Sequence, residues 1–325
     1  MLDNTRQLPA QSQFFSSLRG SSISDSDYIH AAAVWDKFQC QSLRDYTELY
    51  VRADSYQLAE AIFNMRDVIM AEFKVDLCHY LSLPMMSKDI MLKYTECEMA
   101  LLHDLEMINF FKSNIRGGLS FVNQRHFDKI EESTKRQEDI SLAYVDANNL
   151  YGAAMRFAMP VGEYRWMSDQ EIETICLDDI SAESETGYVF EVTLEYPPEL
   201  HLSHSSFPMA PHQQDITADM LSDYAKNALQ TLTRKTKYNA KKLTSSFLRR
   251  EKYTCHALNL KLYVQHGMKL VTMHRGVAFR QEKFLKPYID LCTRQRAESK
   301  TKAQKDVWKL LSNSLYGKVK LSLRK

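Results

Sequence analysis

Two stretches of this chain carry the side chains best suited to chemistry. Residues 144–152 read YVDANNLYG, so Asp146 closes an apolar run and is followed by a polar turn and Tyr151. Residues 309–317 read KLLSNSLYG, with Lys309, Asn313, Tyr316 and Gly317 in the same short span. The endings match, but one stretch carries a carboxylate where the other carries an ammonium. A carboxylate at a strand end is a hard oxygen ligand for a divalent cation. A lysine is a compact point charge for phosphate. On a helix, Lys302, Lys305, Lys309, Asn313 and Tyr316 fall on one face, while Trp308, Leu311 and Leu315 fall on another and pack inward. A row of lysines leading into an amide and a phenol is a poor core and a good seat for a triphosphate followed by a base. Gly317 permits close backbone approach or ends the helix.

The surrounding pattern says what must position these residues. Residues 28–114 read as helical: Leu58, Ile62, Met65, Ile69 and Phe73 recur at helical spacing after Asp54, a candidate N-cap. Shorter helical patterns follow at about 87–94 and 103–114, and Gly117-Gly118 breaks them. From residue 140 the signal turns to strands. ISLAYVDA is an apolar run of the kind found in a buried central strand. GYVFEVTLEYPP (187–198) alternates, with Tyr188, Phe190, Val192, Leu194 and Tyr196 on one face and Glu191, Thr193 and Glu195 on the other, as in a half-buried antiparallel strand ended by prolines. Residues 268–279 form another strand candidate, 251–266 a helix stopped by Gly267, and 282–300 and 302–316 two successive helices. The fold class expected is α+β: helices first, then an antiparallel sheet with a partly basic insertion at about 199–250.

With 325 residues, 44% hydrophobic and 26% charged, the composition is that of a globular chain of about two domains. Six cysteines lie far apart without a C-x-x-C, which reads as free thiols in a reducing, intracellular compartment and excludes a disulfide framework or a cysteine zinc site. Nothing approaches a membrane span or a signal peptide. No P-loop or dinucleotide-binding glycine pattern occurs.

A net charge of +1 hides two local basic stripes. One holds Arg234, Lys235, Lys237, Lys241, Lys242, Arg249, Arg250 and Lys252. The other holds Arg294, Arg296, Lys300, Lys302, Lys305, Lys309, Lys318, Lys320, Arg324 and Lys325. Such stripes suit a phosphate-rich partner in a groove. By contrast, Asp178-Asp179 sits in an acidic neighbourhood and reads as a solvated loop. His201, His204 and His212 lack cysteine or fixed carboxylate company for a metal site.

KLLSNSLYG resembles the K-x3-N-S-x-Y-G motif of family B DNA polymerases, and YVDANNLYG resembles their D-x2-S-L-Y-P motif in its protein-primed form. FFSSLRG, VWDKFQC, MLKYTECE, IRGG, KYTCHALNLKLYVQHGMKL and FLKPYID are similar to the branch found in viruses and Maverick/Polinton transposons. The resemblance implies a right-hand polymerase: a helical C-terminal part of an exonuclease-like domain (1–115), a linker with a template-contact motif (116–140), and palm plus helical fingers (141–325). It implies a DNA-directed DNA polymerase that acts on primer–template DNA and dNTPs with two Mg²⁺ ions, with a terminal priming protein as a further partner. A nuclear location follows if the element is eukaryotic. It assigns Asp146 as a catalytic metal ligand and Tyr151 as the ring that excludes a 2′-hydroxyl. Lys309 binds the incoming phosphates, with Lys305 or Arg294 as further candidates, and Asn313, Tyr316 and Gly317 shape the base-pair pocket. Arg116, Gly117 and Gly118 resemble the Y-x-G-G/A template contact, with Ile115 in place of its tyrosine. YVRAD (50–54) matches a Y-x3-D exonuclease motif, which makes Asp54 a metal ligand aided by Tyr50; helix capping is the other reading of Asp54. The resemblance also implies a D-T-D hairpin that does not occur after Asp306, so a partial chain is expected: a truncated gene model, an exon fragment or a decayed copy. The alternative function is a decayed or domesticated remnant that binds nucleic acid without catalysis.

Overall fold

The computed structural model describes residues 5–124, 126–233 and 238–319. In chain order the elements are α1 (Asp25–Lys37), α2 (Leu43–Phe73), α3 (Leu83–Thr95), α4 (Leu105–Asn114), α5 (Lys129–Arg136), α6 (Leu150–Met155), β1 (Met159–Trp166), α7 (Asp169–Thr174), β2 (Thr186–Glu195), β3 (His212–Thr217), α8 (Asp223–Thr233), β4 (Asn239–Thr244), β5 (Arg250–His256), α9 (Ala257–Gln265), β6 (Lys269–Glu282), α10 (Lys286–Glu298) and α11 (Lys302–Val319). The expected mixture of helices and antiparallel sheet is present. Two compact units form: one takes the chain up to Leu81 with Ser299–Val307, the other Ser82–Glu298 with the chain from Trp308 onward.

In the first unit, α2 starts at a capping box. Ser42 accepts from the amide of Asp45, and the Asp45 carboxylate accepts from the amide of Ser42, which satisfies two amides that a helix start leaves orphaned. Ser42, not Asp54, is therefore the cap, and Asp54 lies exposed in mid-helix. Of the expected apolar stripe only Ile69 and Phe73 are buried. Leu58 and Ile62 are exposed, because only the last turns of α2 meet covering side chains among the described residues. Arg66 clasps Asp76 past the helix end, with its Nε 2.8 Å from Oδ1. That guanidinium holds the Asp76 carboxyl well below the usual carboxylate range.

The second unit is built on a four-stranded antiparallel sheet in the order β1-β6-β2-β5. One face carries Phe190, Val192, Leu194, Tyr253 and Cys255 against Leu260 of α9 and Met268. The expectation of a solvent-facing Glu191 and Thr193 fails: both are buried. The second face is covered by α4, whose Met107 and Phe110 pack on Val277 and Phe279. Arg275 resolves the resulting polar burial. Its Nε lies 3.2 Å from Glu191 and its Nη1 2.9 Å from Glu106, and its plane rests over the Phe110 and Trp166 rings. A charge removed from water is tolerable when paired in this way.

Two sequence expectations are corrected here. The helix expected over 251–266 is a strand followed by a shorter helix, because the alternating Tyr253 and Cys255 side chains pack inward as β5 pairs with β2. Gly267 does end α9, with φ at +92°. Residues 140–147, expected as a buried central strand, are irregular and exposed, with Tyr144 97% and Val145 87% accessible. Both outer strands of the sheet are already met by other groups: the amide of Ala100 donates to Val161 on β1 (2.8 Å), and Arg116 donates to the carbonyl of Thr254 on β5. Residues 140–147 pair with none of the described strands, and the run stays largely open to water. The insertion contains β3 and β4 as a separate antiparallel pair, with α8 between them.

Candidate nucleotide-binding site

Asp146 is exposed and makes no hydrogen bond or ion pair among the described residues. The chain then turns sharply into α6. Asn149 sits at φ +52° as the N-cap and accepts a bond from the amide of Gly152 at 3.2 Å. The Asn149 side chain folds so closely over Gly152 that a Cβ there would lie 2.1 Å from its Nδ2. A side chain there would have to displace the Asn149 cap from the turn that leads to Tyr151. The other end of α6 is tied down as well: Met155 is buried, and Arg156 pairs with Asp290 of α10 at 2.9 Å.

The second motif lies on α11, as its periodicity requires. Trp308, Leu311 and Leu315 are buried, and the hydroxyl of Tyr288 on α10 donates to the carbonyl of Leu311 at 3.4 Å. Burial raises the Tyr288 phenol well above its ordinary pKa and pushes the neighbouring Cys292 thiol up to about 12, as a dry packing face should. The opposite face carries Lys302, Lys305, Lys309, Asn313 and Tyr316, all exposed. None of the three lysines makes an ion pair among the described residues. Gly317 does not end the helix, which continues to Val319.

The fold brings the two motifs together at one point: the Tyr151 and Tyr316 rings lie 4.3 Å apart between centroids, tilted by 38°. Both rings keep about half of their surface exposed, 54% and 49%. An aromatic pair that is half open, about two helical turns along α11 from an unpaired lysine, offers a flat apolar surface on the same helix face as a point charge. That combination suits a phosphorylated base.

The other site residues are placed differently. Arg116 is half-buried, with its guanidinium 4.2 Å over the Tyr253 ring and bonded to the Thr254 carbonyl. Gly117 and Gly118 are exposed, with open space where a Cβ would stand. Asp54 lies one turn after Tyr50 on α2, and both are exposed. No group of three or more His, Cys, Asp or Glu side chains suited to a metal ion assembles among the described residues. His201 and His204 instead bond to Tyr196, through its carbonyl (3.2 Å) and its hydroxyl (2.7 Å). Two members of the first basic stripe, Arg249 and Arg250, are taken up by the fold, while Lys241, Lys242 and Lys252 are exposed. Arg250 is 2% exposed with its Nε 2.9 Å from the Ala210 carbonyl, and Arg249 is held between Glu195 and Glu251. Arg234, Lys235, Lys237, Lys320, Arg324 and Lys325 lie outside the described residues. All six cysteines are free, and no helix among the described residues is long and apolar enough to cross a membrane.

The family described as DNA polymerase type B, organellar and viral, matches residues 24–323, nearly the whole chain. The chain belongs to that family of DNA polymerases. No curated protein matches it. Among solved structures, it is similar to Phi29 DNA polymerase complexed with primer-template DNA and incoming nucleotide substrates, at 18% identity and a TM-score of 0.45, over 74% of this chain and 36% of that one. It is likewise similar to Phi29 DNA polymerase complexed with single-stranded DNA, at 18% identity and a TM-score of 0.46, over 78% and 37%. The chain thus spans about a third of the length of those structures.

Sequence reading identified both tyrosines but not what holds them. The Asn149 cap had a signal, an asparagine three residues before a glycine. The Arg156–Asp290 pair had none, since nothing local to either residue indicates the other.

Proposed function

We propose that this chain forms the nucleotide-binding part of a DNA-directed DNA polymerase of the protein-primed kind. The observation that carries the reading is the convergence of Tyr151 and Tyr316 on the helix face that also carries the unpaired Lys309, within a chain of the type B polymerase family. In this reading Lys309 neutralises the incoming triphosphate, and Lys305, one turn earlier on the same helix, extends the positive row. Tyr316 and Asn313 face the base, and Tyr151 blocks a 2′-hydroxyl by bulk. The reaction joins the primer 3′-oxygen to the α-phosphorus and breaks its bond to the β-phosphate oxygen. Pyrophosphate leaves and the hydroxyl proton passes to solvent.

Asp146 suits a divalent cation. It is an exposed carboxylate with no competing partner, and Mg²⁺ is commonly held by one or two carboxylates, substrate phosphates and water. When bound, the cation would supply Lewis-acid activation of the hydroxyl and charge neutralisation at the leaving group. Asp54 with Tyr50 is the corresponding proposal for a proofreading site. Primer–template DNA, dNTPs and a terminal protein are the proposed partners. The test is templated primer extension by the polymerase that contains this chain, beside its Asp146→Asn variant. Extension by the first and not the second supports the reading. Salt-sensitive DNA binding with no extension by either favours a nucleic-acid-binding remnant.

A further inference from the structure

Ser87 lies on α3, more than two hundred residues before the second motif, and is fully buried among Met86, Ile90 and Met91. Its hydroxyl oxygen is 2.9 Å from that of Ser314, the serine between Asn313 and Tyr316. The Ser314 hydroxyl also donates back to the carbonyl of Leu310 one turn earlier on α11. With its proton committed there, Ser314 can only accept from Ser87. Leu311 and Leu315 of α11, and Ile289 and Leu291 of α10, are all buried, and the Tyr288 phenol of α10 also meets Ser87.

Apolar packing is non-directional and tolerates small rotations of a helix about its axis. A hydroxyl pair with one fully buried member does not, because a rotation that separates the two oxygens breaks the bond between α3 and α11, while Ser314 keeps its bond to Leu310. Ser314 and Tyr316 lie two residues apart on α11, so the rotation fixed by Ser87 also fixes the direction in which Asn313 and Tyr316 emerge. We propose that Ser87 is a positioning residue for the nucleotide-binding face of α11, acting through Ser314. The proposal rests on the nucleotide-site reading above. It assigns a function in nucleotide recognition to a helix outside both polymerase motifs.

The experiment measures binding of a fluorescent dATP analogue with Mg²⁺, and separately of primer–template DNA, to the protein and to Ser87→Ala, Ser314→Ala and the double variant. Ser87→Ala should weaken nucleotide binding about three- to tenfold, the scale of one lost hydrogen bond, with DNA affinity unchanged within twofold. The double variant should be no worse than either single one, because both remove the same bond. Ser87→Cys weakens the donor but leaves no cavity, so it should show a nucleotide defect in the same direction with a melting temperature lowered no more than in Ser87→Ala. Unchanged nucleotide binding in Ser87→Ala, equal losses of nucleotide and DNA, or additive single effects would each overturn the proposal. Failure of the unaltered protein to bind nucleotide would instead remove the nucleotide-site reading, and the role of Ser87 with it.

Discussion

Arg249 and Arg250 at the start of β5, and Lys305 and Lys309 on α11, look alike in the sequence: paired cations in a basic stripe with tyrosines close by. The fold uses them in opposite ways. The Arg250 guanidinium is sealed among the backbone carbonyls of Ala210, Ser246 and Leu248, and Arg249 is neutralised by two glutamates. The α11 lysines stand in water without a carboxylate partner among the described residues. A planar fork with five donors can satisfy several carbonyls at once, whereas an ammonium on a flexible stem keeps its charge available. Clustered cations therefore do not identify a phosphate site by number. What distinguishes the two regions is whether the surrounding backbone and acids have already taken the charge.

The sharpest way to break this contrast is to remove the buried member. Arg250→Ala strips donors from one buried and two part-buried carbonyls and should cost about 3 kcal/mol of stability, read as a lower urea midpoint at unchanged slope. A variant as stable as the unaltered protein would place Arg250 at the surface and erase the difference. Next comes Tyr151→Val, which removes the ring that meets Tyr316. Discrimination against ribonucleotides should fall by about tenfold or more in single-nucleotide incorporation, with the melting temperature little changed, since the ring is half exposed. Unaltered discrimination would mean the tyrosine pair has no part in sugar choice.

A smaller effect comes from His212, beside the buried arginine. Its Nδ1 is buried without a partner, and its pKa is lowered to about 4, by burial first and then by the charges of Arg250 and Arg116. Between an unfolded value near 6.5 and a folded value near 4, the unfolded chain holds the extra proton, so stability should fall as pH drops through that window and stay flat above it. With the ring partly open to solvent, about 1–2 kcal/mol is expected. Urea denaturation at pH 7 and pH 4, compared with His212→Gln, isolates it: the variant should lose that part of the pH dependence. An identical pH profile in both proteins would show that His212 titrates normally.

These fates explain what could be read from the sequence. The α11 face was legible because a helical period needs only the residues themselves: Trp308, Leu311 and Leu315 go inward, Lys309, Asn313 and Tyr316 outward. The inner face of β2 was legible for the same reason. Glu191 and Thr193 were misplaced because their partners, Arg275 for Glu191 and Glu251 and His274 for Thr193, arrive from far along the chain. The strand expected at 140–147 failed because an apolar run indicates a wish to be buried and does not supply a neighbour. In the site, the motif tyrosines were readable, while the Arg156–Asp290 tie and the Ser87–Ser314 bond are products of folding with no local signature.

The central claim is that the outward face of α11 receives a nucleotide's phosphates while the β5 arginines serve the fold. Lys309→Ala tests it most directly, through Mg²⁺–dNTP binding measured beside thermal stability. The account predicts at least a tenfold loss of nucleotide affinity with stability within about 0.5 kcal/mol of the unaltered protein. Undiminished nucleotide binding by Lys309→Ala would contradict it.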